Sequence, residues 1–352
     1  MTTQLSVRTA ELPTYENLRF TDLDAHLFAE GTHAQLYQKL GTHEANEDGR
    51  SGWYFAVWAP QAQQLSLVGE FNNWNPDAHP LYRNSHGLWD VFIPGLRDAA
   101  TYRYHITKQD GQAVEKADPF AFRAQSGGKA SLTWNLNYTW EDAAWMRARR
   151  EFDPASRPLS IYELHIGSWR RVPEEGNRFL TYREMAPILG DYLVKMNFTH
   201  VEFLPLLEHL DYSSLGCNPT GYFAPTDRYG SPQDLMFLID HLHQRGIGVI
   251  LDVIPPRFSS EEHGLGIFDG THQFEHPDPR MGFHPAWDSY LFDYARGEVR
   301  SYLMSSATFW AEVYHVDMLR VEGLALRLYR DYARKAGEWL PNDLGGRENW
   351  EA

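Results

Sequence analysis

The sequence predicts two successive domains of different class, an antiparallel β-sandwich followed by an α/β domain with a parallel sheet. Residues 53–107 alternate apolar and polar side chains with period two between turn signals, which is typical of half-buried strands. From residue 159 onward, strand-like runs alternate with helical patterns, and this order predicts right-handed βαβ units. The intervening residues 141–158 are charged and end at a proline, as a linker does.

These observations divide the chain into four segments. The first residues are polar and contain no apolar core of signal-peptide length, so they are predicted to be poorly ordered. The predicted segments are a disordered tail over 1–20, the sandwich over 21–142, the linker over 143–158 and the α/β domain over 159–352.

Composition excludes several classes of function. The chain has 352 residues and a formal net charge of −15, and this acidic excess argues against nonspecific binding to nucleic acid or anionic membranes. No run approaches the roughly 18 apolar residues of a membrane span. The single cysteine, Cys217, excludes an intramolecular disulfide and a CxxC metal site. A reducing, cytoplasmic location is expected.

Within the sandwich, three strands follow from the period-two pattern. The residues predicted to share faces are Leu65 with Leu67, then Trp89 with Val91 and Ile93, then Tyr102 with Tyr104 and Ile106. The turn GEFNNWN places Trp74 among amide side chains. Such a tryptophan can stack on a sugar ring, but it can equally pack back onto the sandwich, and the second alternative is favoured.

In the α/β domain, four strands and three helices are predicted. Thr181 and Glu184 form a capping box that opens a helix ending near residue 197. Ser231 before Pro232 opens a second helix, which ends at Gly246, and a third covers 298–314. The predicted strands lie in 159–169, 199–206, 248–255 and 315–323. The long loops after the second and third strands are where α/β proteins place ligand sites.

Three charged residues lie at the ends of these strands. Asp252 is near the end of the third strand, while Arg320 and Glu322 lie near the end of the fourth and point the same way. An arginine beside a carboxylate keeps it ionised and oriented, which suits a nucleophile and equally suits a structural ion pair. Asp252 and Glu322 are candidates for the two carboxyl groups of retaining glycoside hydrolysis.

Other chemical signals are weak. His272 and His276 share a loop with Glu275 and Asp278, where solvated loop polarity is favoured over a metal site. The run from Gly264 lacks the context of a phosphate-binding loop. No cofactor and no metal are therefore expected.

Eight ordered segments resemble glycogen branching enzymes of the α-amylase superfamily of glycoside hydrolases. The sandwich resembles the family's carbohydrate-binding module through FAVWAPQAQQLSLVGEFNNWN and KADPFAFRAQ. The segments IYELHIGSWRR, FTHVEFLPLLEH, TGYFAPTDRYGSPQD, GIGVILDVIPPRF, HGLGIFDGT and YHVDMLRVEG resemble the front half of the family's barrel. The resemblance implies an immunoglobulin-like sandwich followed by strands one to four of a (β/α)₈ TIM barrel. Four βα units by themselves also fit a doubly wound sheet.

The resemblance implies an α-1,4-glucan such as glycogen as partner. Family members cleave an α-1,4 bond and transfer the chain to a 6-hydroxyl, which forms an α-1,6 branch. Asp252 and Arg320 match the family's pattern. Glu322 stands where the family has its nucleophilic aspartate, Arg257 where it has a sugar-binding histidine, and Cys217 where it has a stacking tyrosine. Tyr222, in a matched segment, and Trp74, in the sandwich, are further predicted binding residues.

The family's acid/base glutamate follows its fifth strand and a His-Asp pair follows its seventh, beyond the last residue of this sequence. We therefore expect this chain alone to be inactive in branching. Two alternatives remain: a noncatalytic glucan-binding or regulatory module, and one half of a split active enzyme. Open strand edges invite pairing, so we expect a homodimer, a complementing chain over the open half barrel, or poor solubility.

Overall fold

The computed structural model describes residues 12–151, 158–253 and 257–352. The first part of the chain forms short helices and two antiparallel sheets. Its elements in chain order are α1 (Tyr15–Leu18), α2 (Asp22–Glu30), β1 (Gly41–Glu47), β2 (Arg50–Trp58), β3 (Gln64–Gly69), β4 (Tyr82–Arg83), β5 (Leu88–Pro94), β6 (Thr101–Thr107), β7 (Ala113–Lys116), β8 (Ser131–Leu132) and α3 (Ala143–Arg150), with 3₁₀ turns at Leu36–Gln38 and Glu70–Asn72.

Two sheets form the predicted sandwich. One has the strand order β1-β2-β5-β4, and the other has β3-β6-β7 with β8 also paired to β6. All of these pairings are antiparallel. Most of the side chains predicted to share inward faces are buried: Leu65, Leu67, Trp89, Ile93, Tyr102, Tyr104 and Ile106. Val91, predicted on the same face as Trp89 and Ile93, is only half-buried, and burial along β3 and β5 does not alternate strictly.

The predicted disordered tail over 1–20 is wrong for its last residues. Tyr15 donates a hydrogen bond from its hydroxyl to Asp90 Oδ1 at 2.8 Å, and its ring meets Tyr54 edge-on. Leu18 is buried. Aromatic packing against the sandwich therefore orders residues 12–20, a tertiary contact that local polarity does not reveal. Residues 1–11 of that prediction lie outside the described residues.

The second part of the chain contains the parallel strands. Its elements are β9 (Ile161–Leu164), α4 (Ile166–Trp169), β10 (Arg171–Val172), β11 (Arg178–Phe179), α5 (Tyr182–Lys195), β12 (His200–Phe203), α6 (Pro232–Gln244), β13 (Gly248–Val253), β14 (Arg257–Ser259), α7 (Pro279–Gly282), β15 (Phe283–His284), β16 (Ser289–Leu291), α8 (Gly297–Glu312), β17 (Met318–Val321) and α9 (Leu324–Leu328), with 3₁₀ turns at Pro173–Glu175 and Asp227–Tyr229.

The order of the four main strands decides between the two α/β architectures. The sheet runs β9-β12-β13-β17, and every neighbouring pair is parallel. A doubly wound sheet reverses its strand order at a switch point, whereas a barrel adds each strand beside the previous one. The sequential order is therefore that of a (β/α)₈ barrel, and the predicted fold class is confirmed for strands one to four.

Helix capping in this part follows the sequence signals closely. Thr181 accepts a hydrogen bond from the Glu184 amide at the start of α5, and Ser231 accepts one from the Asp234 amide at the start of α6. The strands are shorter than predicted. β17 begins only at Met318, because His315 has a left-handed φ of 56° that interrupts extended backbone. Residues 254 and 255 of the predicted third strand lie outside the described residues.

The predicted linker contains a docked helix. Trp145 on α3 donates from Nε1 to Asp317 Oδ1 at 2.9 Å. Asp142 Oδ2, just before the helix, lies 2.9 Å from His243 Nδ1 and 2.7 Å from His315 Nδ1. These buried contacts attach the segment to the barrel part, while residues 152–157 lie outside the described residues.

The sandwich and the barrel part are joined by polar contacts through the loop after β14. Lys116 at the end of β7 is buried and donates from Nζ to the carbonyls of Glu262 and Gly266, at 2.5 and 2.7 Å. The Ala117 amide donates to the carbonyl of His263. The sandwich thereby supports the same loop region that begins with Arg257. Within the described residues, no helix is both long enough and apolar enough to cross a membrane.

Candidate functional site

Four carboxylates surround one guanidinium nitrogen at the carboxyl ends of the parallel strands. Arg320 Nη1 lies 2.6 Å from Glu322 Oε1, 2.7 Å from Asp252 Oδ2, 3.2 Å from Glu202 Oε1 and 4.0 Å from Glu163 Oε2. We call these five side chains the carboxylate cluster. It contains the predicted Asp252, Arg320 and Glu322.

Strand register assembles the cluster. β13 and β17 pair Asp252 with Arg320, while β9 and β12 pair Glu163 with Glu202. Paired residues of parallel strands project to the same side of the sheet, and so do residues two apart on one strand. The four strands consequently direct one acidic or basic side chain each to a common point. Glu322 lies one residue past β17, where its backbone amide donates a hydrogen bond to the carbonyl of Val253.

The cluster contains four carboxylates and one guanidinium, and the pKa values of two of its carboxyl groups are raised. Burial raises the pKa of Asp252 to about 7; Arg320 opposes the shift, and Glu202 adds to it. Burial also raises the pKa of Glu202, which Arg320 again opposes. Asp252 Oδ1 is buried and has no hydrogen-bond partner among the described residues. A proton held by Asp252 near neutral pH relieves this repulsion.

Asp252 and Glu322 are close, but they do not form an acid–nucleophile pair across a sugar. Both carboxylates contact Arg320 Nη1, at 2.7 and 2.6 Å, so the contacting oxygens are at most 5.3 Å apart. That separation resembles a retaining glycosidase. However, both carboxylates are bound to Arg320, and the side chain of Asp252 is only 2% exposed. Asp252 is therefore placed to position Arg320 and not to protonate a leaving group.

Sequence reasoning missed Glu163 and Glu202. Each lies inside an apolar strand, IYEL and HVEF, where a charged side chain needs a partner. Glu202 lies in the fully buried strand β12, and this carboxylate was the available signal, whereas Glu163 on β9 is 58% exposed. The register of either residue against Asp252 was not readable from the sequence.

Cys217 and Arg257 lie beside the cluster. Burial raises the pKa of the Cys217 thiol; Arg257 lowers it, and Glu322 and Asp252 raise it further. The guanidinium of Arg257 lies 5.3 Å from the ring centre of Trp287. The structure thus brings together three of the positions at which the sequence differs from the resembled family: Cys217, Arg257 and Glu322.

The reactivity of the only cysteine tests this arrangement. At pH 8, we expect Arg257→Met to slow the reaction of Cys217 with a disulfide reagent by about 2- to 3-fold, because the thiolate loses a favourable charge. Glu322→Gln should accelerate it by a similar factor. The measurement is the rate of thiol release against pH, with Asp98→Asn as an exposed control. If both substitutions changed the reaction rate in the same direction, the placement of Arg257 and Glu322 beside Cys217 would be contradicted.

Tyr222 is corrected from a binding residue to a supporting one. Its side chain is buried, and its hydroxyl donates to the carbonyl of Arg257 at 2.7 Å. The ring packs edge-on against Phe292 and Tyr302. A ring enclosed in this way cannot stack on a sugar, so it fixes the backbone that carries Arg257.

Trp74 lies in the sandwich and is 37% exposed. Its backbone has a left-handed φ of 58°, and its amide donates to the carbonyl of Gly69. The guanidinium of Arg103 lies 5.3 Å from the ring centre. The ring is therefore neither free nor packed into the sandwich, and an arginine contacts it where a sugar is also able to stack.

The loop histidines make local contacts. His272 Nδ1 lies 2.9 Å from the buried carboxylate of Glu275, and the Asp278 amide donates to His276 Nδ1. Among the residues that the structure describes, no group of three or more histidine, cysteine, aspartate or glutamate side chains has metal-binding geometry.

The chain is similar in sequence to known proteins, over part of it in one comparison and over most of it in another. Residues 39–121 match the model of carbohydrate-binding module 48, the isoamylase N-terminal domain. The chain is 52% identical to the 1,4-alpha-glucan branching enzyme GlgB of Aquifex aeolicus over 94% of its own length and 53% of that protein. The same figures apply to the GlgB of Albidiferax ferrireducens. The chain spans about half the length of these curated relatives.

A solved structure supports the fold. The crystal structure of GBS pullulanase SAP in complex with maltotetraose superposes with a TM-score of 0.62. That match covers 82% of this chain and 43% of the other, at 20% identity. At this identity the likeness concerns the fold alone.

Proposed function

The chain is homologous along 94% of its length to the 1,4-alpha-glucan branching enzymes, and on that premise we propose that it binds α-1,4-glucan without catalysing branch formation. The observation that carries this proposal is the state of the nucleophile position. Glu322 stands there, and its carboxylate is bound to Arg320 Nη1 at 2.6 Å. The extra methylene displaces the carboxylate by about one bond length, and a misplacement of about 1 Å can cost on the order of 10²-fold in rate.

The neighbouring substitutions support the same proposal. Arg257 brings bulk and a permanent charge to the position where the family has a neutral histidine. Cys217 offers no ring, which removes a stacking contact of about 1 kcal/mol.

A branching assay tests the catalytic part. Purified protein incubated with amylose is expected to produce no α-1,6 linkages above background, which corresponds to a rate at least about 10²-fold below that of an active branching enzyme. The measurement is iodine staining followed by counting the chains released on debranching. The matched variant Cys217→Tyr, Arg257→His, Glu322→Asp restores the family's residues. Turnover by the wild-type protein would overturn the proposal.

Two alternatives differ in what completes the site. A noncatalytic glucan-binding or regulatory module is supported by the match of residues 39–121 to a carbohydrate-binding module. It predicts retardation in native gels that contain glycogen. Half of a split enzyme instead requires a separate polypeptide with the remaining half of the relatives' length. Activity that appears only in a co-purified complex would favour the split enzyme.

We further propose that another polypeptide covers the exposed sheet. Within the described residues, β9 and β17 each pair with a parallel strand on one side only. Ile161 on β9, Val321 on β17 and Leu324 on α9 are apolar and more than two-fifths exposed. Light scattering is expected to show a dimer or a complex with a complementing chain. A stable, soluble monomer would contradict this expectation.

A further inference from the structure

The outer face of the sandwich contains a second concave surface, separate from the ring of Trp74. A groove of about 420 Å³ lies over β3 and β6 and beneath the loop of residues 76–81. In the β3–β6 pairing, Gln64 is opposite Thr107 and Ser66 is opposite His105. The four side chains project to the same outer face, away from the buried Leu65 and Leu67.

The polar side chains of this groove are not used by the fold. Gln64, Ser66, Asp77, His105 and Thr107 line it, and none of these side chains has a hydrogen-bond or ion-pair partner among the described residues. Ser66 is nevertheless largely buried. Polar groups in a partly enclosed surface gain most from a ligand that can both donate and accept hydrogen bonds.

Exposed apolar surface lies beside these groups. Pro76 and Pro80 line the groove and are exposed, so their rings are available to the face of a sugar ring. Leu81 and Trp89 also line the groove, but they are only 4% and 7% exposed and therefore form its floor. The lining includes the Asp77 carboxylate and neither lysine nor arginine, so the groove does not suit a phosphate or another anion.

The wall of the groove is formed in advance. The Leu67 amide donates to the carbonyl of His79 at 2.9 Å, and the Leu81 amide donates to that of Leu65 at 2.9 Å. Asn72 Nδ2 contacts His79 Nδ1 at 3.0 Å. A preformed wall reduces the entropy lost when a ligand binds.

We propose that this groove is a second binding site for a short α-glucan segment, recognised through Ser66, Asp77 and His105. The proposal rests on the proposed glucan binding of the chain and extends it. Arg103, which contacts Trp74, lies two residues before His105 on β6 and faces the same side. One glucan chain is therefore able to contact the groove and Trp74 together.

Calorimetric titration with maltotriose tests the groove, and retardation by glycogen in native gels tests the underlying function. The double variant Asp77→Ala, His105→Ala should weaken maltotriose binding by about tenfold, because it removes two hydrogen-bonding side chains. Trp74→Ala should change it by less than about threefold while reducing glycogen retention. The control is Asp98→Ala, His26→Ala, a matched pair of exposed residues outside the groove.

The outcomes separate the two claims. If the Asp77→Ala, His105→Ala variant bound maltotriose as tightly as wild type does, the proposed groove site would be overturned, whether or not glycogen retains the protein. Wild type that neither binds maltotriose nor is retained by glycogen would overturn the proposed function as well as the groove. Far-UV circular dichroism and the unfolding midpoint confirm that each variant is folded. If only the folded double variant loses maltotriose, the groove is supported.

Discussion

Replacing Arg320 by methionine is expected to lower the free energy of unfolding by about 2 kcal/mol at pH 8. Its Nη1 is within 4.0 Å of all four carboxylates of the cluster, and its removal leaves Asp252 and Glu202 buried without a counter-charge. Breaking a fully buried pair costs about 3–5 kcal/mol. The partial exposure of Arg320 reduces that figure because water screens the remaining charges.

The pH dependence of this loss identifies its cause. At pH 5 the raised pKa of Asp252 keeps that carboxyl neutral, so the same substitution should cost less than it does at pH 8. Urea unfolding at the two pH values measures the difference. Arg147→Met, on an exposed face of α3, is the matched control and should change stability by less than about 0.5 kcal/mol. An equal loss at both pH values would show that packing of the arginine side chain, and not charge, is responsible.

Asp252→Asn is expected to remove much of the pH dependence of stability between pH 4 and pH 7. Burial raises the pKa of Asp252 in the folded state to about 7, above its ordinary value of 3.8, so the folded state binds the proton more tightly. Stability from this group is therefore fully present below about pH 4 and is lost as the pH rises through 7. Three pH units correspond to the order of 3–4 kcal/mol. The asparagine variant lacks this term.

The comparison must be made between variants, because other buried acids act in the same direction. Burial also raises the pKa of Asp118 to about 6 and that of Glu208 to about 7. These groups remain in the Asp252→Asn protein, so its stability should still fall with pH, but less steeply. Asp98→Asn, an exposed control, should preserve the wild-type slope. If Asp252→Asn preserved it as well, the raised pKa of Asp252 would be refuted.

The two substitutions test opposite sides of one electrostatic arrangement. Arg320→Met removes the positive charge and should make stability more sensitive to high pH, whereas Asp252→Asn removes one negative charge and should make it less sensitive. The double variant is expected to lie closer to wild type at pH 8 than Arg320→Met does, since residues that share contacts are not additive.

Part of the fold was predictable because its causes are local. Period-two burial located the sandwich strands, and the side chains of Thr181 and Ser231 capped the helices where their sequence context indicated. The positions of Asp252, Arg320 and Glu322 near strand ends indicated that these residues would lie close together, as their contacts show. The resemblance to branching enzymes identified Cys217 and Arg257 as part of the same site.

Other features depend on contacts between residues distant in sequence. Tyr15 orders the predicted tail through Tyr54 and Asp90, and Tyr222 became a buried support because α8 residues enclose it. The residues next to Tyr15 and Tyr222 in the sequence do not indicate that either side chain packs in this way. The groove on the sandwich likewise exists only because the loop of residues 76–81 is bonded across β3.

The sequence by itself determined the class of each domain, the helix caps, the family resemblance and the charged residues at the strand ends. Only the tertiary structure decided the sequential strand order of a barrel, the inclusion of Glu163 and Glu202, and the meeting of four carboxylates at Arg320 Nη1. The physical reason is that side-chain periodicity fixes which face a residue occupies, whereas strand register fixes which residues on that face meet. Electrostatic shifts depend on those distances, so they follow from register and not from composition.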